Sequence, residues 1–184
     1  MTAFLVAFAL FAQPSVRPWP IGPGPRYTPP AAPAAVSAGV PLGTLRCAPP
    51  GPSFLVHVEL FAGRRVVVLP AGIGVAAPAA RSGATVTPRG CVYPLRTLAP
   101  DGVVEVARGS DLTVGDLFRI WGQPLLARRL GSFRSSSPVR VYLDGSPVHA
   151  SAGAIVLKPH VQIVLELGAY LAPHPFFLFP GGQS

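Results

Sequence analysis

The chain has no asparagine, a single lysine at Lys158, seven acidic side chains and two cysteines, Cys47 and Cys91. Each scarcity removes something. Seven carboxylates leave little material for acid–base pairs, and no Gly-x-Ser-x-Gly elbow or P-loop is present. Gly72-Ile73-Gly74 runs on into Val75-Ala76-Ala77 without the third glycine of a dinucleotide-binding turn. Catalysis is therefore not expected, and no catalytic residue is assigned. No apolar run approaches the roughly 20 residues that cross a bilayer as a helix. Neither His-x-His nor His-Glu-x-x-His occurs. The arginines are scattered with no aromatic-interleaved basic motif, which argues against nucleic acid.

What is abundant is arginine, alanine, glycine and proline, and the formal charge of +8 rests almost entirely on arginine. With asparagine missing, this bias reads as GC-rich coding. A cationic surface nonetheless favours anionic partners such as phospholipid headgroups or acidic envelope polymers; another envelope protein is the other partner class. The apolar run Ala3–Ala12 has the length of a signal-peptide core, so residues 1–12 read as an export leader. Residues 13–46, rich in Pro, Ala and Gly, read as a tether, because such a stretch propagates neither helix nor central strand. Residues 47–184 read as one domain. In an exported chain the only two cysteines are expected to pair, closing the loop between Cys47 and Cys91. The expected location is extracytoplasmic, secreted or attached to the cell envelope.

Val56–Phe61 and Val66–Leu69 flank Ala62-Gly63-Arg64-Arg65 and read as a β-hairpin. Alternation puts Val56, Val58 and Leu60 on one side and His57, Glu59 and Phe61 on the other. Val103–Val106 reads as a further strand, and Val139–Leu143 before Asp144-Gly145 opens a second hairpin. In Val161–Leu167, residues Val161, Ile163, Leu165 and Leu167 share the core parity, leaving His160, Gln162, Val164 and Glu166 opposite. One helix is clear. Thr113 caps it with Asp116 at the capping-box position, Val114, Leu117, Phe118 and Trp121 form its apolar stripe, and Gly122 and Pro124 stop it. Phe118 and Trp121 are its structural anchors. The expected class is α+β, a small mainly antiparallel or mixed sheet covered by one short helix, with a β-grasp-like order of hairpin, helix and hairpin.

Four histidines are present, and placement separates them. His57 and His160 fall on the polar parity of two strands, His57 with Glu59 two residues on. His174 stands in Pro173-His174-Pro175, a stiff segment able to fold back over the sheet, whereas His149 follows a hairpin turn. His57, His160 and His174 with Glu59 as fourth ligand would suit Zn or Cu, borderline ions matched to imidazole. Against this stands the ordinary alternative, that isolated histidines on a strand face serve only hydrogen bonding. The leading expectation is a non-enzymatic binding or accessory module presenting His57, Glu59, His160 and Glu166. A transition-metal-binding protein is the alternative.

Val56–Gly63, Leu69–Val75, Cys91–Arg96, His160–Gly168 and above all Gly115-Asp-Leu-Phe-Arg-Ile-Trp-Gly-Gln-Pro-Leu125 carry a resemblance. On these segments the chain resembles a family of uncharacterised exported or membrane-tethered proteins of high-GC bacteria, marked by Gly-Asp-x-Phe-x-x-Trp-Gly-Gln-Pro-Leu. The resemblance implies an extracytoplasmic location and a single domain, and it implies no activity. Some members of that family carry histidine at the counterparts of Leu55, Arg96 and Leu98. It thus implies that any metal site here is depleted, or rebuilt around His174.

Overall fold

A computed structural model describes residues 21–22, 24–29, 33–109, 111–169, 171 and 177–179. The expected leader and the first part of the expected tether lie outside the described residues. In chain order, β1 (Arg26–Tyr27) and the one-turn helix α1 (Ala34–Ser37) precede β2 (Ser53–Ala62) and β3 (Arg65–Val67). Then come β4 (Ala79–Ser82), β5 (Thr85–Pro88), β6 (Leu95–Arg96), β7 (Val103–Ala107) and α2 (Val114–Trp121). A meander of β8 (Leu125–Leu126), β9 (Arg129–Leu130) and β10 (Phe133–Arg134) follows, and the hairpin β11 (Arg140–Leu143) and β12 (Ser146–Val148) leads to β13 (Gln162–Leu167). The described chain is thus mostly β-sheet, with one helix longer than a single turn.

The main sheet runs β1-β3-β2-β13-β11-β12, and β7 joins the first half of β2 and carries β6 on its far side. β13 inserts parallel to β2, with Gln162 opposite His57 and Leu167 opposite Ala62, and antiparallel to β11. The first hairpin is tighter than its sequence suggests. Ala62 pairs with Arg65, so the connection shrinks to Gly63-Arg64, both at positive φ (56° and 66°), as a twist-matched two-residue turn demands. Asp144 and Gly145 make the corresponding turn at φ 47° and 78°.

The capping box of α2 closes as expected. Thr113 Oγ1 accepts from the Asp116 N–H, and the Asp116 carboxylate accepts from the Thr113 N–H and hydroxyl. Gly122 ends the helix in the left-handed region at φ 71°. The stripe Val114, Leu117, Phe118, Ile120 and Trp121 then joins Val56, Val58, Leu60, Val104, Ile163 and Leu165 in one apolar cluster. Burying each aliphatic side chain there contributes roughly 1.5–3 kcal/mol. Trp121 and Phe118 lie inside it with ring centroids 5.4 Å apart, and the Trp121 Nε1–H finds no hydrogen-bond partner among the described residues.

Cys47 and Cys91 form a disulfide with Cα atoms 5.4 Å apart. Beside it Ala48 and Val92 exchange both backbone hydrogen bonds, at 2.8 and 2.9 Å.

Two expectations are corrected. The described residues between 21 and 46 do not hang free as a tether. Arg26–Tyr27 pairs in parallel with β3, Ala34–Ser37 is helical, and Ile21, Val36 and Leu45 are buried. Proline denies this stretch a long ladder, but not isolated apolar anchors between the prolines. Nor is the second face of the sheet open to water. Ile21, Phe61, Val66, Val68 and Val164 form a second cluster there, with Tyr142 and Leu171 packed against it.

Candidate functional site

The two-residue period of β2 places His57 and Glu59 side by side, on the face opposite Val56, Val58 and Leu60. The sequence assigns that face to solvent, yet both side chains are buried, at 0 % and 1 % exposure. The physical reason is non-local. Leu171 packs on this face, and Phe177 stacks on the His57 ring at 4.1 Å between centroids and 5° between planes. The Phe177 N–H donates to Gln162 Oε1 at 3.2 Å, which ties the covering segment to β13.

His57 Nε2 lies 3.2 Å from the Asp101 carbonyl oxygen, so the proton of this bond sits on Nε2. Nδ1 is 3.9 Å from Glu59 Oε1, a charge-pair distance rather than a hydrogen bond. Gly102 permits this approach: at φ +82°, a Cβ there would stand 2.8 Å from His57 Nε2 and 2.9 Å from the Val58 carbonyl. Burial pushes the Glu59 carboxyl from 4.5 up to about 7, and a backbone hydrogen bond from Gly22 pulls less strongly the other way.

The remaining candidates part company. His160 is exposed, sits at φ 60° just before β13, and donates its backbone N–H to the Leu55 carbonyl. Its ring touches Phe179 at 5.0 Å, Phe179 touches Phe177 at 5.0 Å, and Phe177 covers His57. The contact path between the two imidazoles therefore runs through two phenyl rings. His174 lies outside the described residues. Among the described residues no group of three or more His, Cys, Asp or Glu is placed to hold a metal ion. His149 is exposed and lines a groove of about 460 Å³ beside β11 and β12. Glu166, expected on a presented face, is buried and held by Arg140 through Nε at 3.2 Å and Nη2 at 3.0 Å.

Several residues of this face carry no sequence signal that singles them out. Leu55 and Arg96 are both cross-strand neighbours of Glu105, and Arg96 pairs with its carboxylate. Leu55, Leu98, Asp101 and Glu105 line a cavity of about 200 Å³. Leu55, Arg96 and Leu98 thus gather around Glu105, one strand over from His57. The Phe176-Phe177-Leu178-Phe179 run is the one local hint that an apolar cover exists.

Set against protein-family models, curated proteins and solved structures, the chain gives no match.

Proposed function

We propose that the chain is an extracytoplasmic, non-enzymatic binding or accessory module on a β-grasp-like scaffold. The observation that carries this reading is the Cys47–Cys91 disulfide, which persists in oxidising compartments and is rare in the cytosol. No helix among the described residues is long and apolar enough to cross a membrane. Support for the β-grasp reading comes from the hairpin β2–β3, the helix α2, the hairpin β11–β12 and β13 parallel to β2, with β4–β7 and β8–β10 as additions between them. Support for a non-enzymatic role comes from five of the seven carboxylates, which serve as internal braces. Glu105 is held by Arg96, Glu166 by Arg140 and the Asp116 carboxylate by the Thr113 N–H and hydroxyl and by Arg119, while Asp101 and Asp144 accept from the N–H groups of Val103 and Gln162. An export-reporter fusion tests the location. Activity of a periplasm-dependent reporter fused after Ser184 is the expected result, and a reporter active only in the cytoplasm would reject it.

A second reading, Zn or Cu binding, has one specific observation in its favour. Leu171 and Phe177, the described residues on either side of His174, both lie on the face that carries His57 and Glu59. In this reading Phe177 leaves the His57 ring when metal enters. Titration calorimetry with Zn²⁺ tests it, with His160→Ala as the variant because that side chain is exposed and carries little of the fold. Uptake by the natural chain that the variant loses supports the reading, and equal uptake by both rejects His160 as a ligand.

A further inference from the structure

We propose that the outer face of the β8–β10 meander is a docking surface for anionic phospholipid headgroups. The proposal deepens the binding-module reading by naming a surface and a partner, and rests on it only for location. β8 and β9 join through Ala127-Arg128, with Leu126 opposite Arg129, and β9 continues antiparallel with Arg129 opposite Arg134. Leu130 is fully buried, and Leu125 and Phe133 pack on the main core, so the alternate set faces outward: Leu126, Arg129 and Arg134, beside Arg128 in the turn.

That outward set is costly for an isolated protein. Two arginines stand directly opposite each other across an antiparallel pair, where like charges repel. All seven carboxyl side chains belong to described residues, and none of them forms an ion pair with Arg128, Arg129 or Arg134; Arg96, Arg119 and Arg140 take three of them. Leu126 is 60 % exposed, more than any other large hydrophobic among the described residues. The frame beneath is well tied. The N–H groups of Gly131, Ser135 and Val139 donate to the carbonyls of Pro124, Arg128 and Ala127, and Phe133 meets Tyr27 edge-on at 5.0 Å. Arg129 Nε also donates to the Gly131 carbonyl, which fixes its stem.

Phosphate oxygens would relieve the repulsion between the guanidinium groups, which match them geometrically. A soluble polyanion would satisfy the arginines alone. A bilayer surface also takes up the leucine that stands among them, because an apolar tip ringed by cations suits the boundary between headgroups and acyl chains.

The test is co-sedimentation of the full chain with vesicles of phosphatidylglycerol in phosphatidylcholine, against vesicles of phosphatidylcholine alone. The variants carry the same N-terminal apolar run as the natural chain, so their differences report the meander. The expected result is preference for the anionic vesicles, weakened on the order of a hundredfold in R128Q/R129Q/R134Q, at roughly fivefold per arginine. Leu126→Ser should weaken it by roughly tenfold through lost apolar contact. The corresponding triple lysine variant should keep most of the binding, which also controls for misfolding alongside circular dichroism. Equal binding to both vesicle types, no binding to either, or a triple glutamine variant that binds like the natural chain would overturn the proposal. Binding unaffected by Leu126→Ser and abolished by soluble dextran sulfate would overturn the lipid assignment in favour of a soluble polyanion. None of these outcomes touches the location, which the reporter fusion decides separately.

Discussion

Replacing Glu59 by glutamine isolates the most unusual electrostatic feature of the molecule. In the unfolded chain this carboxyl ionises near 4.5, whereas in the folded protein burial raises it to about 7. Between those values the folded state holds more protons than the unfolded state, so stability falls as the pH rises and levels off above about 7. At about 1.36 kcal/mol per pH unit, the contribution lost between pH 5 and pH 8 is about 2.5 kcal/mol. Glutamine keeps the shape and never ionises. The stability difference between Glu59→Gln and the natural chain should therefore move in favour of the variant by about 2–3 kcal/mol from pH 5 to pH 8. Denaturant melts of both proteins at the two pH values measure it. Taking the difference between proteins cancels the titration of groups that both retain, although His57, which faces Glu59 at 3.9 Å, has its coupling removed along with the carboxylate. A difference that stays constant from pH 5 to pH 8 would refute the reasoning and mean that the carboxylate is fully compensated where it lies.

Three further outcomes follow from the packing. Trp121→Ala should destabilise by roughly 3–5 kcal/mol in denaturant melts, since the side chain is 1 % exposed and its truncation leaves a cavity; a change within about half a kcal/mol would place the ring outside the core. Gly102→Ala should cost more than about 1 kcal/mol in the same assay, because the new methyl meets both His57 Nε2 and the Val58 carbonyl at a positive φ. Reducing the Cys47–Cys91 bridge, whose sequence separation is 44, should cost roughly 4 kcal/mol in the chain-entropy account, and an unchanged melt after reduction would show that the loop is already held by its other contacts.

The elements that were legible in the sequence are those whose signal is local. Thr113 and Asp116 announce the start of α2 and Gly122 its end, and the alternation of Val56, Val58 and Leu60 gives the core side of β2. The disulfide follows from there being only two cysteines in a chain read as exported. Strands of two residues such as β6 and β8–β10 have no period to detect, so the meander that carries Arg129 and Arg134 is invisible in the pattern. The candidate site was legible as to side but not as to environment. Parity places His57 and Glu59 on one face, but what buries them is Ile21 and Leu171 in the second cluster and Phe177 on the imidazole, far away in sequence. Ile21 lies in a stretch whose proline content masks its anchoring role. Pairing β13 between β2 and β11 is likewise a tertiary choice that no single strand records.

The most direct test of the central claim, an extracytoplasmic module held by one disulfide, is peptide mapping of the protein from its native cells under non-reducing conditions, with each cell fraction analysed separately. The account predicts a Cys47 peptide linked to a Cys91 peptide, found in the fraction outside the cytoplasm. Two free thiols in protein confined to the cytoplasm would contradict it.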